Sequence, residues 1–172
     1  MPVERSSRRF LPARIASIAR GLLNRSKLFA LATVSPSGRA HINAAYFAWD
    51  RAFAIVWLSA PEARHSRNVR ANPSAAIVVY DSTQKWGGPD RGIQLFGSAR
   101  ELRGSGAREA ARLYHRRFPD YDDSELSSYR FYRFRPKSMK LFHERALGGG
   151  VFVTARVDAA GQTTWVRTEN YR

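Results

Sequence analysis

The sequence predicts a mainly β domain of the α+β class, an antiparallel barrel of Greek-key or meander type with flanking helices, and three observations lead there. Six or seven short apolar or alternating runs follow one another with turn residues between them. Only two helical stretches intervene among those runs, so the βαβ rhythm of a doubly wound parallel sheet is missing. At 172 residues the chain suffices for one ordinary core and needs no second one.

Residues 1 to 10 read as a frayed basic arm. Leu11 to Leu23 follows as a helix, because Leu11, Ile15, Ile18 and Leu22 fall on one face. From Lys27 the run LFALATVS reads as a strand, and Pro36-Ser37-Gly38 reverses the chain into a return limb from Ala40 to Trp49. Asp50-Arg51 starts a second reversal into a strand from Ala52 to Ser59. Pro61 and Glu62 open a short helix that runs to Ala71, where Asn72-Pro73 ends it. The β-branched run AAIVVYDS is the next strand, and Gly87-Gly88-Pro89 sits in a loop from Gln84 to Arg91. Arg91 to Arg103 alternates as a strand, and Gly106 to Phe118 is an amphipathic helix stopped by Pro119. Asp120, Asp122, Asp123 and Glu125 form an acidic loop. Two strands, Tyr129 to Arg135 and Lys137 to Glu144, are separated by Pro136. Gly148-Gly149-Gly150 reads as a flexible joint, and Val151 to Val157 with Thr163 to Thr168 makes a hairpin turning at Asp158 to Gly161. Three segments result: an arm and helix over 1–26, the barrel over 27–145, and a glycine joint with hairpin over 146–172 that packs on the same domain or on a partner subunit.

Composition narrows the chemistry. Zero cysteines exclude disulfides, thiolate nucleophiles and sulfur-bound zinc. No run approaches the roughly 20 apolar residues of a membrane span, and Met1 is followed by charged and hydroxylated residues rather than an apolar leader. The expected place is the cytosol, with no membrane partner. Twenty-nine Lys and Arg against 14 Asp and Glu give a formal charge of +15. Nucleic acid, a phosphorylated cofactor or substrate and a membrane surface compete as anionic partners, but the arginines are scattered along the chain rather than gathered in one stripe, so they read as a solvated surface and nucleic acid is not expected. His41, His65, His115 and His143 form no HExxH pair, and neither a GxGxxG turn nor a GxxxxGK[ST] loop is present.

One segment stands apart. In SAPEARHSRNVRANP, Ser59 to Pro73, a strand ends in Ser, a Pro opens a helix, and Arg64, His65, Arg67, Asn68 and Arg70 crowd its turns. A helix amino end beside guanidinium forks favours a phosphate; an exposed basic helix face would read the same way.

Four blocks in order, LFALATVSPSGRAHINAAYFAWD, IVWLSAPEARHSRNVRANPSAAIVVYDS, RGIQLFGSAREL and RFYRFRPKSMKLFHE, give the chain from Lys27 to Glu144 its resemblance to the flavin-binding split barrels of the pyridoxamine 5′-phosphate oxidase type. The resemblance implies a six-stranded antiparallel split β-barrel and a homodimer with flavin mononucleotide at the subunit interface. It further implies an oxidoreductase passing hydride between flavin and a small organic substrate. The positions that resemble the phosphate-holding residues are Ser59, Arg64 and His65; His65 stands where these oxidases carry Lys, and Arg67 is the expected compensation. Asn43, Ala44, Ala45 and Tyr46 match the strand along the flavin ring, with Trp57 and Leu58 just before the phosphate turn. Gln94 is the expected polar contact from one subunit or the other, and Trp86 the expected cap on the ring; Tyr46, His41 and Arg91 are candidates to orient substrate. The chain ends in TTWVRTENYR, where Trp165 and Arg167 do not match the carboxyl-terminal signature of oxidases acting on pyridoxine phosphates. A deazaflavin-dependent reductase and a non-catalytic flavin or haem carrier or sensor are the alternatives within the same resemblance.

Overall fold

A computed structural model describes residues 3–121 and 128–171. In chain order the elements are β1 (Val3–Ser6), α1 (Pro12–Arg25), β2 (Leu28–Val34), β3 (Ala40–Tyr46), β4 (Ala48–Trp49), β5 (Ile55–Ser59) and α2 (Arg64–Ala71). They continue as β6 (Ser74–Tyr80), β7 (Arg91–Glu101), α3 (Gly104–Arg117), β8 (Arg130–His143), α4 (Glu144–Leu147), β9 (Val151–Val157) and β10 (Thr163–Tyr171).

Every strand pairing is antiparallel, and the main path runs β1-β10-β9-β8-β7-β6-β2-β3, with β5 joining β8 and β4 joining β5. Since β4 continues β3 after Phe47, the ring β3-β2-β6-β7-β8-β5-β4 closes through the chain itself. It is the split barrel that the sequence predicts. Closure is incomplete: β3 pairs only with β2, and β5 meets β4 at two positions, Val56 and Ile55. Beyond them the facing edges of β3 and β5 carry no strand pairing.

The barrel interior is aromatic. Trp57, Tyr132, Phe47, Phe53 and Phe134 are fully buried; Trp57 stacks on Tyr132 at 5.5 Å and meets Phe29 edge-on at 5.6 Å. Ile15, Ala19 and Leu23 of α1, four residues apart, lie on one helical face and are completely covered. The helix therefore plugs the barrel rather than decorating it.

Several expectations are corrected. The amino-terminal arm is not frayed, because Val3–Ser6 adds to the open edge of β10 in register with Tyr171 to Thr168, and Arg8 donates to the Leu147 carbonyl at 2.7 Å. An unpaired strand edge offers a row of N–H and C=O groups, which this segment takes up. The strand expected from Ala52 begins only at Ile55, since Asp50 Oδ1 accepts from the amides of Ala52 and Ala54 and holds a tight turn. In that turn Phe53 adopts a φ of 61°, a strained conformation for a non-glycine residue, offset by complete burial of its ring. The glycine joint is a bonded turn: the single-turn helix α4 ends at Gly148, whose amide reaches Glu144, and the Tyr171 amide donates to Gly150 O at 2.8 Å. Of the acidic loop, Asp122, Asp123 and Glu125 lie outside the described residues.

Pro136 does not divide β8. A proline lacks the N–H that a central strand must donate, yet β8 runs unbroken over 14 residues because a bulge in β8, with Lys137 as the extra residue opposite the Phe96–Gly97 step of β7, sets Pro136 opposite Gly97. A side chain at Gly97 would collide with the backbone of Arg135 and Pro136. Gly97→Ala is therefore expected to destabilise the fold by about 3 kcal/mol, at the upper end of overpacking costs, read as a lower midpoint in urea unfolding; Gly21→Ala, which meets open space, is the neutral control.

Candidate functional site

The site grows from the end of β5. Ser59, 7% exposed, closes the strand, and the turn Ala60 to Ala63 feeds α2. Two buried polar side chains of α2 fix that helix. Asn68 Nδ2 donates to Thr33 Oγ1 on β2 at 3.0 Å, and Ser66 Oγ lies 3.3 Å from Ser59 Oγ. Buried polar atoms must be partnered, so these bonds set both the rotation and the height of α2. The same rotation leaves Arg64 and Arg67 exposed.

Ser59 Oγ and His65 Nε2 are 2.6 Å apart. The His65 ring lies parallel to that of His41 on β3, 6.2 Å away with 2° between planes. Burial lowers the His65 pKa below the ordinary histidine value and the neighbouring His41 lowers it further; the imidazole is neutral at neutral pH. Beside this pair lies a cleft of about 430 Å³ walled by the β2–β3 turn and by α2. Arg39, Arg64 and Arg67 line it with Ser35, Ser37, His41 and Asn68. None of the three arginines has a carboxylate within 4 Å among the described residues. The amino end of α2 adds uncapped amides and carries no acidic residue in its first turn. Arrangements of this kind hold anions.

The structure thus brings Ser59, His65, Arg64 and Arg67 together, and adds Arg39 and His41 to them. Arg39 escaped the sequence reading; its only local signal is its place directly after the Gly38 turn, and the partnership with α2 is made by folding. The stretch Asn43 to Tyr46 divides between two faces, as strand alternation requires. Asn43 and Ala45 share the side of His41, whereas Ala44 and Tyr46 point to the opposite, exposed side. Trp57 has its indole wholly within the core, so only its backbone and that of Leu58 reach the crevice edge.

Other expected contacts sit elsewhere in the chain. Trp86 stands fully exposed in its loop. Gln94 lines a separate cleft of about 480 Å³ with Phe142, Phe152 and Tyr171. Arg91 is occupied by Asp81, 2.6 Å from its guanidinium. Within one protomer, then, neither Trp86 nor Gln94 approaches the arginine cleft.

No helix among the described residues is long and apolar enough to cross a membrane, and no cluster of three metal-ligating side chains occurs among them. No curated protein matches the chain in sequence. Solved structures do match in fold. A haem-binding protein from Mycobacterium smegmatis superposes with a TM-score of 0.69 at 20% identity, over 85% of this chain and 59% of that one. A Listeria innocua protein provisionally assigned as a pyridoxamine 5′-phosphate oxidase gives 0.61 at 18% identity, over 74% and 98%. An F420 reductase gives 0.55 at 23% identity, over 70% and 94%. Identities this low establish the architecture alone. Residues 17–143, however, match the sequence pattern of the pyridoxamine 5′-phosphate oxidase family, and this chain belongs to that family.

Proposed function

We propose that the protein binds flavin mononucleotide in the crevice between β3 and β5 and acts as a flavin-dependent oxidoreductase on a small organic substrate. One observation carries the reading: three arginines without carboxylate partners among the described residues line one cleft beside the Ser59–His65 pair. This donor set suits a phosphomonoester. Arg64 and Arg67 would hold its oxygens, Ser59 and the first amides of α2 would donate to it, and Arg39 would close the outer side. The unpaired edges of β3 and β5, from Asn43 to Tyr46 and from Trp57 to Ser59, would meet the polar rim of the ring system through backbone groups. When bound, the flavin supplies the hydride chemistry, and the protein supplies placement and polarity.

The site is completed by a second copy. Ile42 is 68% exposed, Tyr46 55% and Leu28 49% on one face of β2 and β3. Together with the outward positions of β6 (Ser74, Ala76, Val78 and Tyr80), this face carries no charged side chain, in a chain whose formal charge is +15. Large uncharged apolar faces mark association surfaces, and a two-fold contact sets such a patch against itself with no like-charge cost. A dimer there places Ala44 and Tyr46 at the interface while Asn43 and His41, on the same strand, line the crevice. Gln94 and Trp86 then become available from the partner rather than from the same protomer.

Three measurements test this reading. Titration with flavin mononucleotide, followed by flavin fluorescence, is expected to show saturable binding that Arg64→Ala weakens by about 2 kcal/mol, the worth of a charge-assisted hydrogen bond. Preferential binding of a deazaflavin or of haemin in parallel titrations would assign the crevice to that group instead. Phosphate favours the charged form of His65, so its pKa rises on binding from a value below 6.5 in the free protein. Affinity relative to His65→Lys is therefore greatest below the free-state pKa and falls as pH rises through the bound-state pKa; a ratio flat with pH would place the phosphate away from His65. Sedimentation is expected to give a dimer for the native chain and a monomer for Ile42→Asp.

A further inference from the structure

Between the amino end of α3 and the β7–β8 ribbon lies a second basic cleft, of about 650 Å³, that shares no lining residue with the one beside α2. Its floor is the β7–β8 ribbon. Arg100 and Arg133 are direct cross-strand partners there, and Arg135 follows two residues along β8 on the same face. Like charges set opposite one another destabilise a sheet. The amino end of α3 overhangs this floor without a side-chain cap and without an acid in its first turn, and its opening run Gly104-Ser105-Gly106 leaves the amides uncovered.

Arg133 is the unusual member. It is only 6% exposed and yet lines the cleft. Its Nη2 is 3.1 Å from Glu109 Oε2 but lacks hydrogen-bond geometry, and its Nε has no hydrogen-bond partner among the described residues. Glu109 itself is 59% exposed at the side chain, a weak counter-charge for a buried cation. Arg100 and Arg135 have no carboxylate within 4 Å among the described residues, and the second carboxylate of the cleft, Glu101, is already taken by Arg70 and Arg103.

We propose that this cleft is a binding site for a small molecule carrying two phosphoryl groups, such as a diphosphate. One phosphoryl group bridges Arg100 and Arg133 under the α3 amides and displaces Glu109. Arg135 lies about 6.6 Å further along the strand, beyond the reach of that group, and takes the second. The site stands independently of the flavin crevice.

Isothermal titration with inorganic pyrophosphate, at an ionic strength held constant with potassium chloride, tests the assignment on the full-length protein. Arg100→Ala and Arg135→Ala replace exposed side chains and are each expected to weaken binding about tenfold, the scale of one lost charge-assisted contact. Glu109→Gln removes the competing carboxylate and tightens binding, an effect that a purely structural role for Arg133 would not produce. Arg64→Ala, at the other cleft, removes any pyrophosphate taken up beside α2 and leaves the component that Arg100→Ala and Arg135→Ala weaken. Pyrophosphate affinity that survives both arginine substitutions, or that only Arg64→Ala lowers, overturns the proposal. So does a random single-stranded RNA oligomer that binds more than tenfold tighter than pyrophosphate and loses affinity with the same two substitutions.

Discussion

The molecule depends on one strand serving two structures. The first half of β8, Arg130 to Phe134, pairs with β5 and completes the barrel; its second half, Ser138 to Phe142, pairs with β9 and carries the terminal hairpin. β7 spans both halves, and the change of neighbour falls at Pro136. A proline there costs little, because the β8 bulge at Lys137 has already relaxed the ladder and Gly97 on β7 lets the two backbones approach. Without that match of a missing donor to a missing side chain, β5 would have no rigid support, and the end of β5 is where the proposed flavin site begins.

Both basic clefts arise from the same shortage. With twice as many basic as acidic residues, several arginines find no carboxylate, and the barrel concentrates those arginines where helices begin. At α2 the result is open and flanked by hydroxyls and histidines. At α3 a buried guanidinium faces an exposed carboxylate. Partial pairing of a buried charge is costly, which leaves each cleft ready for an anion that brings its own charge and several acceptor oxygens.

Opposite the charged clefts, the outward side of β2, β3 and β6 has no charge at all. The contrast separates two kinds of surface on one small barrel. Strand alternation produces it: along β3, His41, Asn43 and Ala45 serve the crevice, and Ala40, Ile42, Ala44 and Tyr46 serve the apolar face. In the proposed function, one strand therefore links cofactor binding to association.

The sequence alone determined the class, the order of most strands, α1 to α3, and the anchor of the site. Those features are local: alternation, turn residues, an apolar helical stripe, and a Ser-to-Arg spacing compressed into a single strand-turn-helix segment. What it left to the tertiary structure was every feature that depends on a distant partner. The pairing of Val3–Ser6 with β10 needs an edge that exists only after the hairpin forms, and the continuity of β8 through Pro136 needs Gly97 from another strand. Arg39 joins Arg64 and Arg67 only because Asn68 bonds to Thr33 and holds α2 against β2. Periodicity records which way a side chain points from its own backbone; it carries no information about which strand lies opposite, and on that pairing the two clefts were built.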